Sequence, residues 1–442
     1  MPAAEAAGPL ADAELEGLLA PFAGAGTIAL AVSGGADSLA MLDCVDRWRR
    51  HRALPPGAVV LTVDHRLRPG SGGEAAAVAA LARSRGLTAR VLRWNGPRPV
   101  SDIEAAARAA RYRLLVEAAR AAGATALLVA HHRDDQAETL LMRLSRGAGV
   151  FGLAAMRPAL DVGALTIARP FLDVPRARLA ATTAAAGLTP VVDPMNADRR
   201  FLRARIRGLM PLLADAGMDA ALLAALAGRM RNAAEAIDRA ASAFLAAAVR
   251  TDAFAVAWLD ASRFSAEPSD VRLRALVRLL IAVGGGDYPP RFARLRRLDE
   301  GLRGSDDRRR FKRTLAGVVV ERRGDRFAFY RECGRAGLRS LAVKPGFAGL
   351  WDHRFSVDVG GGRTAGLTLG PLGEAGRRGL RVVAAGVPAG ALAALPALRR
   401  RGRVVAAPGV GCVAGTGWPM AARPLVAERL AEPPLFPDVA GE

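Results

Sequence analysis

The chain has 442 residues, more than one typical core accommodates, so two or three domains are expected. Hydrophobic residues make up 51% and charged residues 24%, a balance that excludes a disordered chain. Basic residues outnumber acidic ones by 63 to 42, and the net charge of +21 favours a polyanionic partner, nucleic acid foremost.

Lysine occurs only at Lys312 and Lys344, so arginine carries nearly all of that charge. A GC-rich codon bias accounts for arginine over lysine, but not for the excess of bases over acids. Cys44, Cys333 and Cys412 form no Cys-x-x-Cys pair. They argue against a disulfide framework or a zinc or iron–sulfur site, and they fit a reducing cytoplasm. Glu5, Asp12, Glu14 and Glu16 stand where a signal peptide would be basic and then apolar. No uninterrupted apolar stretch is long enough to span a bilayer. A soluble, cytoplasmic protein with no membrane partner is expected.

From residue 27 to about 195 strand-like and helix-like segments alternate. Ile28–Val32 reads as a strand, Ser33-Gly34-Gly35-Ala36-Asp37-Ser38 as a tight loop, and Leu39–Trp48 as a helix. That geometry points backbone N–H groups of a helix start at an anion. The glycines let the backbone turn and approach phosphate oxygens, the serines add hydroxyls, and Asp37 sits where a magnesium ion could be held. Without Gly-Lys-Ser/Thr this is not a Walker A loop.

Val59–Val63 reads as the next strand, ending at Asp64-His65. Ala75–Arg85 follows as a helix, Ala89–Trp94 as a strand, and Ile103–Ala122 as a helix closed by Gly123. Leu127–Ala130 is a strand ending at His131-His132, and Asp134–Leu144 is the next helix, with Asp134 or Asp135 as its cap. Leu165–Ala168 and the segment from Pro175 continue the alternation. Such βα units imply an α/β fold, a doubly wound parallel sheet with helices on both faces. Ligands of such sheets bind beyond the carboxyl ends of strands, so the glycine loop, Asp64-His65 and His131-His132 should converge.

Residues 198–213 form a basic amphipathic segment expected to end near Pro211. Arg203 and Arg207 would share one helical face, with Arg205 pointing elsewhere. About 217–300 reads as largely helical, with Ala220–Arg250, Val271–Val283 and Phe292–Leu302 at helical spacing and Gly284-Gly285-Gly286 as a break. The basic run Arg308–Arg313 leads into a hairpin, Val318–Glu321 and Arg326–Tyr330, turned at Gly324-Asp325. From about 336 glycine, proline and valine dominate, with strand-like runs at Phe355–Val359 and Arg403–Ala406. The expected organisation is a catalytic domain over 1–215, a helical RNA-contacting domain over 216–335, and a small, mostly β domain over 336–442.

The glycine loop resembles the Ser-Gly-Gly-x-Asp-Ser loop of the ATP pyrophosphatases, with their adenine nucleotide α-hydrolase-like sheet. His131-His132-Arg133-Asp134-Asp135-Gln136-Ala137-Glu138-Thr139 narrows the match, because the combination is similar to the tRNA(Ile)-lysidine synthase family. Asp64-His65-x-Leu67-Arg68 with Ser71, Glu104 to Arg108 with Arg111-Tyr112, Arg146-Gly147-Ala148-Gly149, Arg169-Pro170-Phe171-Leu172 and Asp193-Pro194-Met195-Asn196 resemble further motifs of that family. Met195, in place of Ser or Thr, and Arg200, in place of Asn, depart from the pattern.

The resemblance implies a two-step ligation. ATP adenylates the C2 oxygen of the wobble cytidine of a tRNA(Ile) with a CAU anticodon, and pyrophosphate leaves. The ε-amine of free L-lysine then attacks C2 and AMP leaves. In that scheme Ser33, Gly34, Gly35, Ala36, Asp37 and Ser38 hold the pyrophosphate portion of ATP, with Asp37 as ligand to Mg2+. Lysine is protonated at neutral pH, so an acid must hold its ammonium and take a proton. Asp134 or Asp135, supported by Glu138, is expected there, and His132 is expected to stabilise phosphate charge. Arg108, Arg111, Arg203, Arg205 and Arg207 are the expected substrate-binding cations. A homodimer is compatible with this scheme. Two other readings remain open at this point: a tRNA thiolase or amidotransferase using the same loop, and a basic RNA-binding protein with a vestigial nucleotide site.

Overall fold

Ile28, Ala29 and Leu30 are all fully buried, so the strand they form is covered on both faces and cannot alternate apolar with polar residues. In the computed structural model this strand, β1 (Thr27–Ala31), lies inside a six-stranded sheet. The structure describes residues 8–66, 70–95, 103–191, 198, 200–286, 288–305, 311–334, 337–344, 346–360, 366–379, 384–407 and 420–431.

The other strands of the sheet are β2 (Gly57–Asp64), β3 (Thr88–Arg93), β4 (Ala126–Leu128), β5 (Ala159–Val162) and β6 (Leu165–Ala168), in the order β3-β2-β1-β4-β6-β5. All neighbours run parallel except β5 and β6, an antiparallel edge hairpin that the sequence pattern did not predict. The helices are α1 (Asp12–Leu19), α2 (Ala36–Arg50), α3 (Ser71–Ser84), α4 (Ile103–Ala121), α5 (Arg133–Leu144), α6 (Val150–Leu153), α7 (Arg176–Ala185), α8 (Leu202–Asp215) and α9 (Ala220–Ala248).

Alternate residues of each strand feed opposite cores. Ile28, Leu30, Val60 and Leu128 pack with Leu19 of α1, Leu42 of α2, Val78 of α3 and Leu179 of α7. Ala29, Val59, Leu61, Leu127 and Ile167 meet Tyr112, Leu115 and Ala119 of α4 on the other face. This is the expected doubly wound sheet. From β1 the chain steps outward to β2 and β3, then returns to β4 on the far side of β1. The topological switch point therefore lies between β1 and β4, where a crevice opens beyond the strand ends.

Two boundaries differ from expectation for identifiable reasons. Helix α5 begins at Arg133 because His132, not an aspartate, is its cap. Helix α8 runs through Pro211 to Asp215, although proline cannot donate the N–H that would bond the Arg207 carbonyl. Only one further turn follows Pro211, and that turn is held by its own later amides.

The described residues divide into two compact units, the first reaching Ala234 and the second beginning at Glu235. In the second, helices Ala261–Ala266, Ser269–Gly284 and Phe292–Arg303 are joined by a five-stranded antiparallel sheet. Its strands are β7 (Val249–Thr251), β8 (Ala257–Asp260), β9 (Lys312–Leu315), β10 (Val318–Arg323) and β11 (Arg326–Arg331), in the order β7-β8-β11-β10-β9. The hairpin β10–β11 turns at Gly324-Asp325, and β8 pairs onto β11 across a long sequence separation. Beyond it lie a four-stranded and a three-stranded antiparallel sheet with short helices. Among the described residues no single helix is long and apolar enough to cross a membrane.

Candidate active site

The turn after β1 is shaped by glycine. Gly34 has φ +88, and a Cβ there would lie 3.2 Å from Val78 Cγ2 and 3.3 Å from Val191 Cγ2. Its carbonyl accepts the Val191 N–H at 2.9 Å. Gly35 then caps α2 without a side chain to occupy the first amides of the helix. The N-terminus of α2 is therefore open to an anion, and its dipole favours one. The serines are less free than expected. The Ser38 hydroxyl donates to the Gly35 carbonyl at 2.9 Å and accepts the Ser33 N–H at 3.2 Å, so it locks the loop.

Asp37, on the first turn of α2, faces His132 across the switch point, with Oδ2 at 3.6 Å from Nε2. Its Oδ1 is buried and has no hydrogen-bond partner among the described residues. Burial alone would raise the Asp37 pKa. The facing His132, with the charges of Arg176 and Arg207, outweighs burial and holds the carboxyl below its ordinary range. A buried carboxylate oxygen without a partner among the described residues, beside an uncapped helix start, has the chemistry to hold a divalent cation.

The turn after β4 spends its polar groups differently. His132 is buried, and its Nδ1 accepts the Asp135 N–H at 3.3 Å while Asp135 Oδ2 accepts the His132 N–H at 3.2 Å. With Nδ1 accepting, the ring proton lies on Nε2, between the Asp37 carboxylate and Asp135 Oδ2 at 3.4 Å. Burial would lower the His132 pKa, but Asp37, Asp135 and Asp134 together raise it. His131 shifts the other way. Burial, and then the charges of Arg169, Arg108, Arg203 and Arg111, push it well below 6.5. Arg169 donates from Nε to His131 Nδ1 at 3.3 Å, which a neutral ring alone can accept.

The three expected carboxylates of α5 separate into distinct places. Asp135 lines the crevice, with its side chain 13% exposed. Asp134 instead accepts the first amide of α7, Arg176 N, at 2.9 Å. Glu138 is buried between two cations: Arg207 donates to it at 2.7 and 3.0 Å, and Arg203 Nε lies 3.0 Å away. Arg203 and Arg207 thus share the face of α8 that meets α5, while Arg205 is exposed on another side.

Beyond these groups a crevice of about 520 Å³ extends under the sheet's carboxyl edge. Arg108 and Arg111 of α4 line it, each 5.6 Å from the ring centroid of Tyr112. Neither has an ion-pair partner among the described residues, and burial pulls the Arg111 guanidinium below its ordinary value. His65, Ser71, His131, Arg176, Arg203 and Arg207 complete the wall. The convergence of three strand ends is therefore observed. Arg176 escaped the sequence reading, although a basic residue at a helix start opposes the dipole and so signals a function elsewhere. Asp64, by contrast, holds its own turn, accepting from Ser71 Oγ at 2.7 Å and Arg66 N at 3.0 Å.

A PP-loop domain model matches residues 10–213, the span that builds this crevice. A tRNA(Ile)-lysidine synthase of Methylobacterium sp. is 50% identical over 309 residues, covering 68% of this chain and 87% of that protein. One from Bradyrhizobium sp. is 46% identical over 328 residues, covering 71% and 92% respectively. The chain belongs to the tRNA(Ile)-lysidine synthase family. Likeness to the lysidine synthase of Ruegeria pomeroyi, at 36% identity, extends over 88% of this chain and 90% of that one. Of the lysidine synthase motifs seen in the sequence, Leu67, Arg68, the Glu104 side chain and Asp193 to Asn196 with the Met195 departure lie outside the described residues, as does Arg308 to Arg310 of the basic run. Arg200 lies within them, paired with Asp198 at 2.6 Å.

Proposed function

We propose that the crevice performs the two-step ligation of its family, ATP-dependent formation of lysidine on a tRNA(Ile), with each role assigned to a side chain of this chain. The observation that carries the assignment is the unpartnered Asp37 Oδ1 beside the open N-terminus of α2, facing His132. The backbone of Ser33 to Ser38 would cradle the pyrophosphate portion of ATP. Asp37 would hold Mg2+, which supplies charge neutralisation on the phosphates when bound.

In the first step the C2 oxygen of cytidine bonds to the α-phosphorus while the bond to pyrophosphate breaks. His132, whose Nε2–H lies between Asp37 and Asp135, is placed to donate that hydrogen to the phosphate oxygens there. In the second, the ε-amine of lysine bonds to C2 and AMP leaves with its oxygen. Lysine arrives as an ammonium, so Asp135, on the crevice wall, takes its proton before attack. Asp134 is engaged with α7 and is assigned no proton. Glu138 supports indirectly, by fixing Arg203 and Arg207 against the crevice. Arg108 and Arg111, on the crevice wall and without an ion-pair partner among the described residues, would take anionic groups of nucleotide, lysine or RNA.

The thiolase reading gains no support from the site. Cys44 is inside α2, its thiol pushed up to about 12 by burial, and no described cysteine lines the crevice. Mass spectrometry of a tRNA(Ile) transcript incubated with ATP and isotopically labelled lysine tests the proposal. A labelled adduct on the wobble cytidine is expected. ATP consumption without lysine incorporation would overturn it.

A further inference from the structure

In the second unit, helix Phe292–Arg303 disposes of its acids so that one flank is purely cationic. Asp299 is buried and accepts two bonds from Arg272, at 2.8 and 3.0 Å. Glu300 stands 3.3 Å from Arg296 on the outer side. Leu295, Leu298 and Leu302 face the core. Arg294 and Arg297, one turn apart and exposed, have no hydrogen-bond or ion-pair partner among the described residues.

The next residue along that flank is Gly301. A Cβ there would lie 2.9 Å from Phe311 Cε2 and 3.6 Å from Arg313 Cζ. Glycine inside a helix costs stability, and here its bare surface lets the start of β9 lie against the helix. Arg313 is exposed, with its guanidinium 5.8 Å from the Phe311 ring centroid and no acidic partner among the described residues. Arg294, Arg297 and Arg313 therefore follow one another along the flank. The helical part, from Arg294 to Gly301, spans roughly 10 Å at 1.5 Å per residue.

We propose that Arg294, Arg297 and Arg313 form a track for the sugar–phosphate backbone of the tRNA substrate, built from none of the residues that line the catalytic crevice. The inference rests on the reading of tRNA as substrate. Guanidinium groups left without acids in a chain of net charge +21 match a polyanion, and their fork geometry suits phosphate oxygens. Arg296 on the neighbouring flank differs, because Glu300 already answers it.

The test is the triple variant Arg294→Gln/Arg297→Gln/Arg313→Gln, titrated with a tRNA(Ile) transcript over a series of salt concentrations, without ATP or lysine. All three side chains are exposed, so the fold is retained, and near-ultraviolet circular dichroism checks this. Affinity is expected to fall on the order of tenfold, and the slope of log K against log salt to flatten by about 2 to 3. In turnover, KM for tRNA rises while kcat at saturating tRNA holds. Arg296→Gln is the control, with little change in either. Wild-type affinity and salt slope in the triple variant would overturn the proposal. The binding assay needs no catalysis, so a failure of the lysidine reading, seen as no adduct with the wild-type chain, registers separately from a failure of the track.

Discussion

Two turns leave adjacent strands at the switch point and treat their polar groups in opposite ways. After β1, the backbone amides at the start of α2 have no side-chain cap, and Asp37 keeps a buried oxygen without a partner among the described residues. After β4, almost everything is answered: His132 and Asp135 cap each other's amides, Asp134 takes the first amide of α7, and Glu138 is clamped by two arginines. A cluster of carboxylates in sequence is thus not a cluster of reactive carboxylates. In the crowded turn only Asp135 faces the crevice, while Asp134 and Glu138 hold the walls around it.

The contrast breaks first, and most visibly, at Asp37. Asp37→Asn keeps the shape and removes the charge. Lysidine formation and ATP–pyrophosphate exchange are expected to fall on the order of a hundredfold or more, while unfolding by urea loses at most about 1 kcal/mol from the charge that His132 faces. Full exchange activity in this variant would remove the distinction between the turns. Glu138→Gln should behave in reverse. Losing a buried ion pair typically costs about 3–5 kcal/mol, and the partial exposure of Arg203 and Arg207, 22% and 33%, trims the expectation to about 2–3 kcal/mol. Urea unfolding measures that loss. A variant as stable as the parent would show that Glu138 is not what ties α8 to α5.

How far the sequence could be read follows the same division. Strands buried on both faces announce themselves as apolar runs, which is why Leu165–Ala168 was placed to the residue and the glycine loop was found at once. Partners that arrive from distant segments have no local signature. The amide that occupies Asp134 comes from Arg176, and the arginines that occupy Glu138 come from α8, so Asp134 and Asp135 looked equivalent in the sequence and the clamp on Glu138 did not show. The short strands β5, β7 and β8 were missed for a related reason. They are three or four residues long and exist only because a neighbour pairs with them. Pro211 misled because a local rule was overridden by the packing of the helix around it.

A smaller effect sharpens the difference between Asp134 and Asp135. Asp134→Ala removes an acceptor for one helix-start amide and should cost about 1 kcal/mol of stability, with turnover of the folded enzyme nearly intact. Asp135→Asn should instead lower kcat, with the loss growing as pH falls and less free amine is available. Equal kinetic losses in the two variants would return both aspartates to the same role.

The smallest expected effect lies in the paired histidines, whose opposite shifts should be separable by pH. His132 is raised above 6.5 in the fold, so the stability it contributes is fully present below that pH. It fades as pH rises through the raised value. His131 is lowered, so its contribution is present above 6.5 and is lost as pH falls toward its folded value, because the unfolded chain takes up the proton first. Asparagine can place an oxygen near Nδ1 in each case, keeping the acceptor for Asp135 N or Arg169 Nε while abolishing the titration. Urea unfolding of His131→Asn should therefore lose less stability than the parent between about pH 6.5 and about pH 5.5. His132→Asn should show its largest deficit at the acid end of that window, narrowing toward about pH 8. Parallel pH profiles for both variants and the parent would mean that neither ring changes its proton affinity on folding. The two rings would then differ in hydrogen bonding alone.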